Sequence, residues 1–137
     1  MGSGDDEPRL KKKSQDWALQ RIEFVGQTDS APYYSSARIL LLTSNYEGTP
    51  MVITEAMAVG VVPIVMNTFK DADLNIKNGY NGLLTPPFDT KEMAKQVLQL
   101  AKDKFNLQKM SGNAKQTVKC MDNNNRLKIW SELTNDN

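Results

Sequence analysis

Residues 38–66 read RILLLTSNYEGTPMVITEAMAVGVVPIVM, and this stretch decides the fold. Ile39-Leu40-Leu41-Leu42 and Val61-Val62-Pro63-Ile64-Val65 are continuous apolar runs, not alternating ones. Such runs fit strands covered on both faces, as in a parallel sheet. The segment 50–59 between them has a helical pattern. Thr49 suits its N-cap and Pro50 its first helical position. Gly60 fits just past its end. Strands are therefore expected at 38–43 and 61–66, joined by a helix in the manner of an α/β layer fold.

Working outward, two more apolar runs read as strands, 22–25 and the short 82–85. Helical patterns cover 10–19 and 90–104, the latter with Met93, Val97, Leu98 and Ala101 on one face. Beyond these, 107–121 and 126–133 read as helices, with Asp122-Asn123-Asn124-Asn125 as a turn between them. Leu127, Ile129, Trp130 and Leu133 form an apolar face in the last segment. Either it packs on the body of the domain or it meets a surface this chain lacks. Gly2-Ser3-Gly4 at the start reads either as an expression-tag scar or as the glycine turn between a strand and a helix. In the second case Asp5, Asp6 and Glu7 favour the helix start. The feeding strand would then lie before Met1.

Composition narrows the function. The 137 residues are the size of one domain. With 17 basic and 16 acidic side chains there is no electrostatic case for nucleic acid or an anionic membrane. The basic run Arg9-Leu10-Lys11-Lys12-Lys13 reads as a solvated helix face. No apolar stretch approaches the ~20 residues of a transmembrane helix, and the first residues show no signal-peptide pattern. Cys120 is the only cysteine, which excludes an internal disulfide and suggests a reducing, cytoplasmic setting. The absence of histidine excludes a Ser-His-Asp triad or a histidine metal site supplied by this chain. Asp71-Ala72-Asp73 spells a D-x-D, but alone it lacks a full ligand set. No metal and no cofactor are expected.

Glu47 and Glu55 are the only charged residues between Arg38 and Lys70. Charge in such a stretch is costly unless it reaches water or has a role. The loop 44–49 would sit at the carboxyl end of a strand, where open parallel sheets bind ligands. The helix N-terminus that follows presents N–H groups and partial positive charge, suited to a diphosphate. Gly48 allows close backbone approach. Glu55 lies five residues after Pro50, roughly 7–8 Å along the axis. The two carboxylates would flank an anion site. Each can accept two hydrogen bonds side by side, a match for vicinal hydroxyls. One could hold a ribose and the other a sugar. The alternative is that both are favourable charges near a helix start, as the dipole alone would allow.

The segment SNYEGTPMVITEAMAVGVVPIV resembles the hallmark of the family 4 (group 1) glycosyltransferases of the GT-B fold. Ser44, Glu47, Gly48, Pro50, Glu55, Ala56, Met57, Ala58, Gly60 and Pro63 match the family pattern. Phe24-Val25-Gly26 resembles an upstream F-x-G turn, and Asn78-Gly79-Tyr80-Asn81-Gly82-Leu83-Leu84-Thr85-Pro86-Pro87 resembles a downstream segment. Several motifs in order are more specific than one. The resemblance implies an α/β, Rossmann-like parallel sheet with helices on both faces. It would be the C-terminal, donor-binding half of a GT-B enzyme, truncated at its N-terminus. Residues 1–121 would form that partial domain and 122–137 a helix crossing towards a missing N-terminal acceptor domain.

By the same resemblance, the parent would be a retaining hexosyltransferase that takes sugar from a UDP- or GDP-type nucleotide-sugar. Polysaccharide biosynthesis is its expected setting, and the acceptor is unassigned. Glu47 is the catalytic candidate, beside the donor sugar, and Glu55 would bind the ribose. Gly48, Thr49, Pro50, Met51 and Val52 would hold phosphates and sugar, and Gly26 and Gln27 would lie near the base. The family's upstream basic residues have no counterpart here and would lie before residue 1; where many relatives carry a Gly-Gly pair and a Glu after the third strand, this chain has Lys70-Asp71 and Leu74. The fragment alone is expected to be inactive. A GT-B sugar-nucleotide epimerase is the alternative enzyme. A protein-binding module of response-regulator type would need a phosphorylatable aspartate at a strand end, where Thr43-Ser44 and Asn67-Thr68 stand.

Overall fold

The structure, a computed structural model, describes residues 4–134 apart from Thr49, Asp71 and Asn75, with side chains as far as Met121. The chain divides into two compact units, one ending at Ser35 and the other beginning at Ser36.

The first unit holds helix α1 (Glu7–Asp16) and the one-turn helix α2 (Ala31–Tyr34). Pro8 stands in the first turn of α1, where its missing N–H costs nothing. Glu7 lies in the first turn and Lys13 in the last, as the dipole favours. Ion pairs Arg9–Asp6 at 2.9 Å and Lys11–Glu7 at 2.7 Å lace its exposed face. The basic run is thus the solvated helix face its composition suggested. The helix ends earlier than its apolar pattern predicted: Trp17 is the C-cap, and Ala18 takes a left-handed φ of 48°. The Asp29 carboxylate accepts the Ala31 N–H at the start of α2.

The strand expected at 22–25 is not formed. A strand persists only where a neighbour completes its hydrogen-bond ladder, and this unit contains no second strand among its described residues. Ile22 and Phe24 instead join Leu10, Trp17 and Leu19 around an apolar groove of about 310 Å³.

The second unit is a parallel three-stranded sheet in the order β1 (Ile39–Leu42), β2 (Val62–Met66), β3 (Leu83–Thr85). Ile39 aligns with Val62, and Ile64 with Leu83. Helix α3 (Met51–Val59) crosses from β1 to β2; α4 (Thr90–Lys102) and α5 (Lys104–Thr134) follow β3. Every residue of β2 is buried, as its continuous apolar run requires. On one face Val65 meets Ile53 and Met57 of α3, Phe69, Ile76, and Ala114 of α5. On the other, Val62, Ile64 and Met66 meet Met93 and Leu100 of α4 and Leu107 and Met110 of α5. Helices therefore cover both faces, and α5 contributes to both layers. Each large side chain buried here stabilises the unit by roughly 1.5–3 kcal/mol. Leu41 of β1 remains 49% exposed, because β1 is an edge strand among the described residues.

Two junctions lock the layers. Gly60 caps α3 with a left-handed φ of 88°, and its carbonyl accepts the Ser111 hydroxyl of α5 at 2.6 Å. The turn 78–82 is held by asparagines. Buried Asn81 accepts the Lys77 N–H at 2.8 Å and donates to the Thr117 hydroxyl at 3.0 Å. Asn78 accepts the Leu84 N–H, and Asn113 donates to the Tyr80 carbonyl. Gly82 is forced: a Cβ there would stand 2.8 Å from the Pro63 carbonyl oxygen.

Residues 122–125, expected to turn, continue α5 without a break. Asn and Asp lower helix propensity by only about 0.7 kcal/mol each at most, and neither Gly nor Pro follows Gly112. The apolar face of Leu127, Ile129, Trp130 and Leu133 lies outside the described side chains. Among the described residues no helix is long and apolar enough to cross a membrane.

Candidate functional site

The chain leaves β1 at Leu42, runs through the loop 43–48, and enters α3 at Met51. Because β1 is parallel to β2, this junction lies at the carboxyl end of the sheet. Pro50, expected as the first helical residue, is instead the N-cap, with φ −74° and ψ 81°. Its ring fixes φ near the helical value, but its ψ turns the chain out of the helix, so the first helical residue is one later. Thr49, expected as that cap, lies outside the described residues. The Pro50 carbonyl accepts the Ile53 N–H at 3.0 Å.

Around that start the structure gathers Glu47, Gly48, Pro50, Met51, Val52 and Glu55. Glu47 is half-buried on the loop. Gly48 is exposed, and a Cβ there would meet nothing within 4 Å among the described residues. Packing does not demand a glycine at this point, which leaves room for something to approach the backbone. Glu55 is exposed on α3, while Ile53, Ala56 and Met57 of the same helix are buried. The outward face of α3 thus carries the carboxylate, and its inward face carries the core. Met51 is 60% exposed beside the helix start. Gly26, with a left-handed φ of 66°, and Gln27 belong to the first unit.

Thr68 was not singled out by its sequence. It stands two residues after β2, and its hydroxyl donates to the Ser44 carbonyl, in the loop after β1. This hydroxyl also lies 3.3 Å from the Met66 carbonyl. A threonine just past a strand is common, so nothing short of the strand register could have marked it.

The two described cavities of the second unit include none of the junction residues. One, of about 430 Å³, is lined by Arg38, Gly60, Lys104 and Ser111, at the amino ends of β1 and β2. The other, of about 420 Å³, lies beside Leu83, Gln96 and Asn106. Asp71 of the D-x-D lies outside the described residues. Among those described, no three Cys, Asp or Glu side chains gather to hold a metal.

Comparison with known proteins bears on this arrangement. The family model of group 1 glycosyl transferases matches residues 1–103. A poly(glycerol-phosphate) alpha-glucosyltransferase of Bacillus subtilis is 26% identical over 98% of this chain and 20% of its own length. The chain spans between about a fifth and a third of the curated relatives it matches first. A sucrose-phosphate synthase structure from Thermosynechococcus elongatus superposes with a TM-score of 0.78 at 24% identity, covering 99% of this chain and 38% of that one. Anabaena Alr3699/HepE, solved in complex with UDP, superposes with a TM-score of 0.75 at 24% identity, covering 81% and 31%. These likenesses establish the C-terminal domain fold of GT-B enzymes. The extent of the family match makes the chain a member of the group 1 glycosyl transferases.

Proposed function

We propose that this chain is the donor-binding part of a glycosyltransferase that takes its sugar from a UDP- or GDP-type nucleotide-sugar. The reading is supported by the β1–α3 junction at the carboxyl end of the parallel sheet, with Glu47 in the loop before α3 and Glu55 on the exposed face of the helix. The start of α3, with the partial positive charge of its dipole, would face the diphosphate. Glu55 would accept hydrogen bonds from the ribose hydroxyls, and Glu47 would sit beside the donor sugar. Gly48 lets the backbone close on the phosphates, with Thr49, Pro50, Met51 and Val52 completing that wall.

Transfer breaks the bond between the sugar and the diphosphate. The negative charge then grows on the leaving oxygens, where a preorganised helix N-terminus stabilises it most. No metal is needed for that step in this reading. The anomeric configuration is retained, and a hexose is the transferred group. The acceptor would be held by an N-terminal domain of the parent protein, towards which residues 122–137 would cross. Without those groups brought into reach, the chain binds donor but does not turn it over. The relatives named above support transferase chemistry, and the UDP complex of the Anabaena protein supports a nucleotide ligand.

The test is an NMR titration of the chain with UDP, GDP and ADP. Amide shifts at Gly48, Met51 and Glu55 with a uridine or guanosine diphosphate are expected. No shift at any of them with any nucleotide would reject the reading.

A further inference from the structure

We infer that Thr68 is a positioning residue for the donor site, acting through the loop that carries Glu47. This rests on the donor-site reading above. Thr68 follows β2 and Ser44 follows β1, so its hydroxyl ties two neighbouring loops at the carboxyl end of the sheet. Through it the loop after β1 is hydrogen-bonded to the segment after β2. The loop reaches solvent: Tyr46 is 85% exposed, and among the described residues nothing lies within 4 Å of where a Gly48 Cβ would be.

The other end of the tie is firm. Asn67 N–H donates to the Thr85 carbonyl of β3, and Thr68 N–H donates to the Met66 carbonyl of β2. Phe69, next in sequence, is buried in the core with Val65 and Met57. Thr68 is therefore held by the sheet and holds the loop. A carboxylate on a loose loop must be ordered when a ligand binds, and that ordering lowers affinity. Holding Ser44 fixes the start of the four-residue lead to Gly48, so Glu47 meets the ligand with less freedom to lose. Thr68 touches neither ligand nor reacting atoms in this account.

The test compares the whole chain with Thr68→Val, which keeps the shape and removes the hydroxyl, and Thr68→Ser, which keeps the hydroxyl. UDP-glucose, or GDP-glucose if the wild type prefers guanosine, is titrated calorimetrically into each, because Glu47 faces the sugar in this account. Thr68→Val is expected to weaken binding about 3- to 10-fold, the share of one hydrogen bond. Thr68→Ser is expected to stay within about 2-fold of wild type. Backbone order parameters at 44–48 should fall in Thr68→Val alone, with those of β2 unchanged. Glu55→Ala is measured alongside. If Glu55→Ala weakens the nucleotide but Thr68→Val binds like wild type, the positioning role is wrong and the donor site stands. If Thr68→Ser loses as much as Thr68→Val, the hydroxyl is not the agent and the inference also fails. If wild type binds no nucleotide, the donor-site reading itself fails; unchanged order at 44–48 in Thr68→Val would then sink the tether as well.

Discussion

Replacing Gly60 by alanine tests how α5 is locked onto α3. Gly60 takes φ 88°, a region that costs an L-residue roughly 1–2 kcal/mol. A Cβ there would also stand 2.4 Å from Lys115 Cε and 2.7 Å from Ser111 Oγ. The lysine end is flexible and can swing away cheaply. The serine cannot, because its hydroxyl donates to the Gly60 carbonyl at 2.6 Å. Its displacement loses a hydrogen bond worth about 0.5–1.5 kcal/mol. The total is about 1.5–3.5 kcal/mol, a large part of the ~5–15 kcal/mol that typically holds a domain folded. Gly79 supplies the control, with φ 78° and nothing within 4 Å of its would-be Cβ. Gly79→Ala therefore carries the backbone cost alone, about 1–2 kcal/mol. Urea unfolding of both variants measures the difference. In Gly60→Ala/Ser111→Ala the serine clash is gone, so the combined loss should be less than the sum of the two single losses. A Gly60→Ala loss no larger than that of Gly79→Ala would refute the packing of Ser111 on the α3 cap.

Three further outcomes follow from the same structure. Asn81→Ala leaves the Lys77 N–H without its side-chain acceptor and cuts the link to Thr117, so urea unfolding should show a loss of about 1–3 kcal/mol. Asp89 caps α4 by accepting the Glu92 N–H at 2.9 Å, so Asp89→Ala should cost about 0.5–2 kcal/mol, whereas Lys95→Ala, which removes an exposed pair with Glu92, should cost under about 0.5 kcal/mol by the same assay. The Arg9 side chain, by its hydrogen bond and its charge, holds the Asp6 carboxyl below the usual aspartate range. Because the folded-state value is lowered, the pair's contribution is present above the unfolded aspartate value near ~3.9 and is lost as pH falls through the lower folded one. Carboxyl-carbon NMR should therefore place the Asp6 midpoint below that of Arg9→Gln, with the gap shrinking in high salt.

Most of the second unit was legible in residues 38–66. Val61-Val62-Pro63-Ile64-Val65 announced a strand buried on both faces, and β2 is buried throughout. Gly60 announced the end of α3 and stands there in the left-handed conformation. Ile39-Leu40-Leu41-Leu42 announced a strand, but not its edge position; burial on both faces depends on a neighbour that periodicity does not name. The same gap explains residues 22–25, whose apolar side chains pack as a groove rather than a ladder. Asp122-Asn123-Asn124-Asn125 misled because turn preference is a weak local bias that a long helix overrides. The asparagines of 78–82 carried a family resemblance, yet their work is to bind backbone and α5. At the candidate site, Glu47 and Glu55 were visible as isolated charges; the structure puts Glu47 on the loop before α3 and Glu55 on the exposed face of that helix. Thr68 was invisible because its partner is 24 residues away, across two adjacent strand ends.

The central claim is that Glu55 grips the ribose of a nucleotide whose diphosphate sits on the start of α3. The most direct measurement is the affinity of wild type and Glu55→Ala for UDP and for its 2′,3′-dideoxy counterpart, or for the guanosine pair if GDP is preferred. Hydrogen bonds to a charged group are worth about 1.5–3 kcal/mol, so Glu55→Ala should weaken UDP by roughly 10- to 150-fold. Against the dideoxy ligand, which has no ribose hydroxyls to donate to the carboxylate, the same substitution should cost less than about 3-fold. An equal loss on both ligands, or no loss on either, would contradict the assignment.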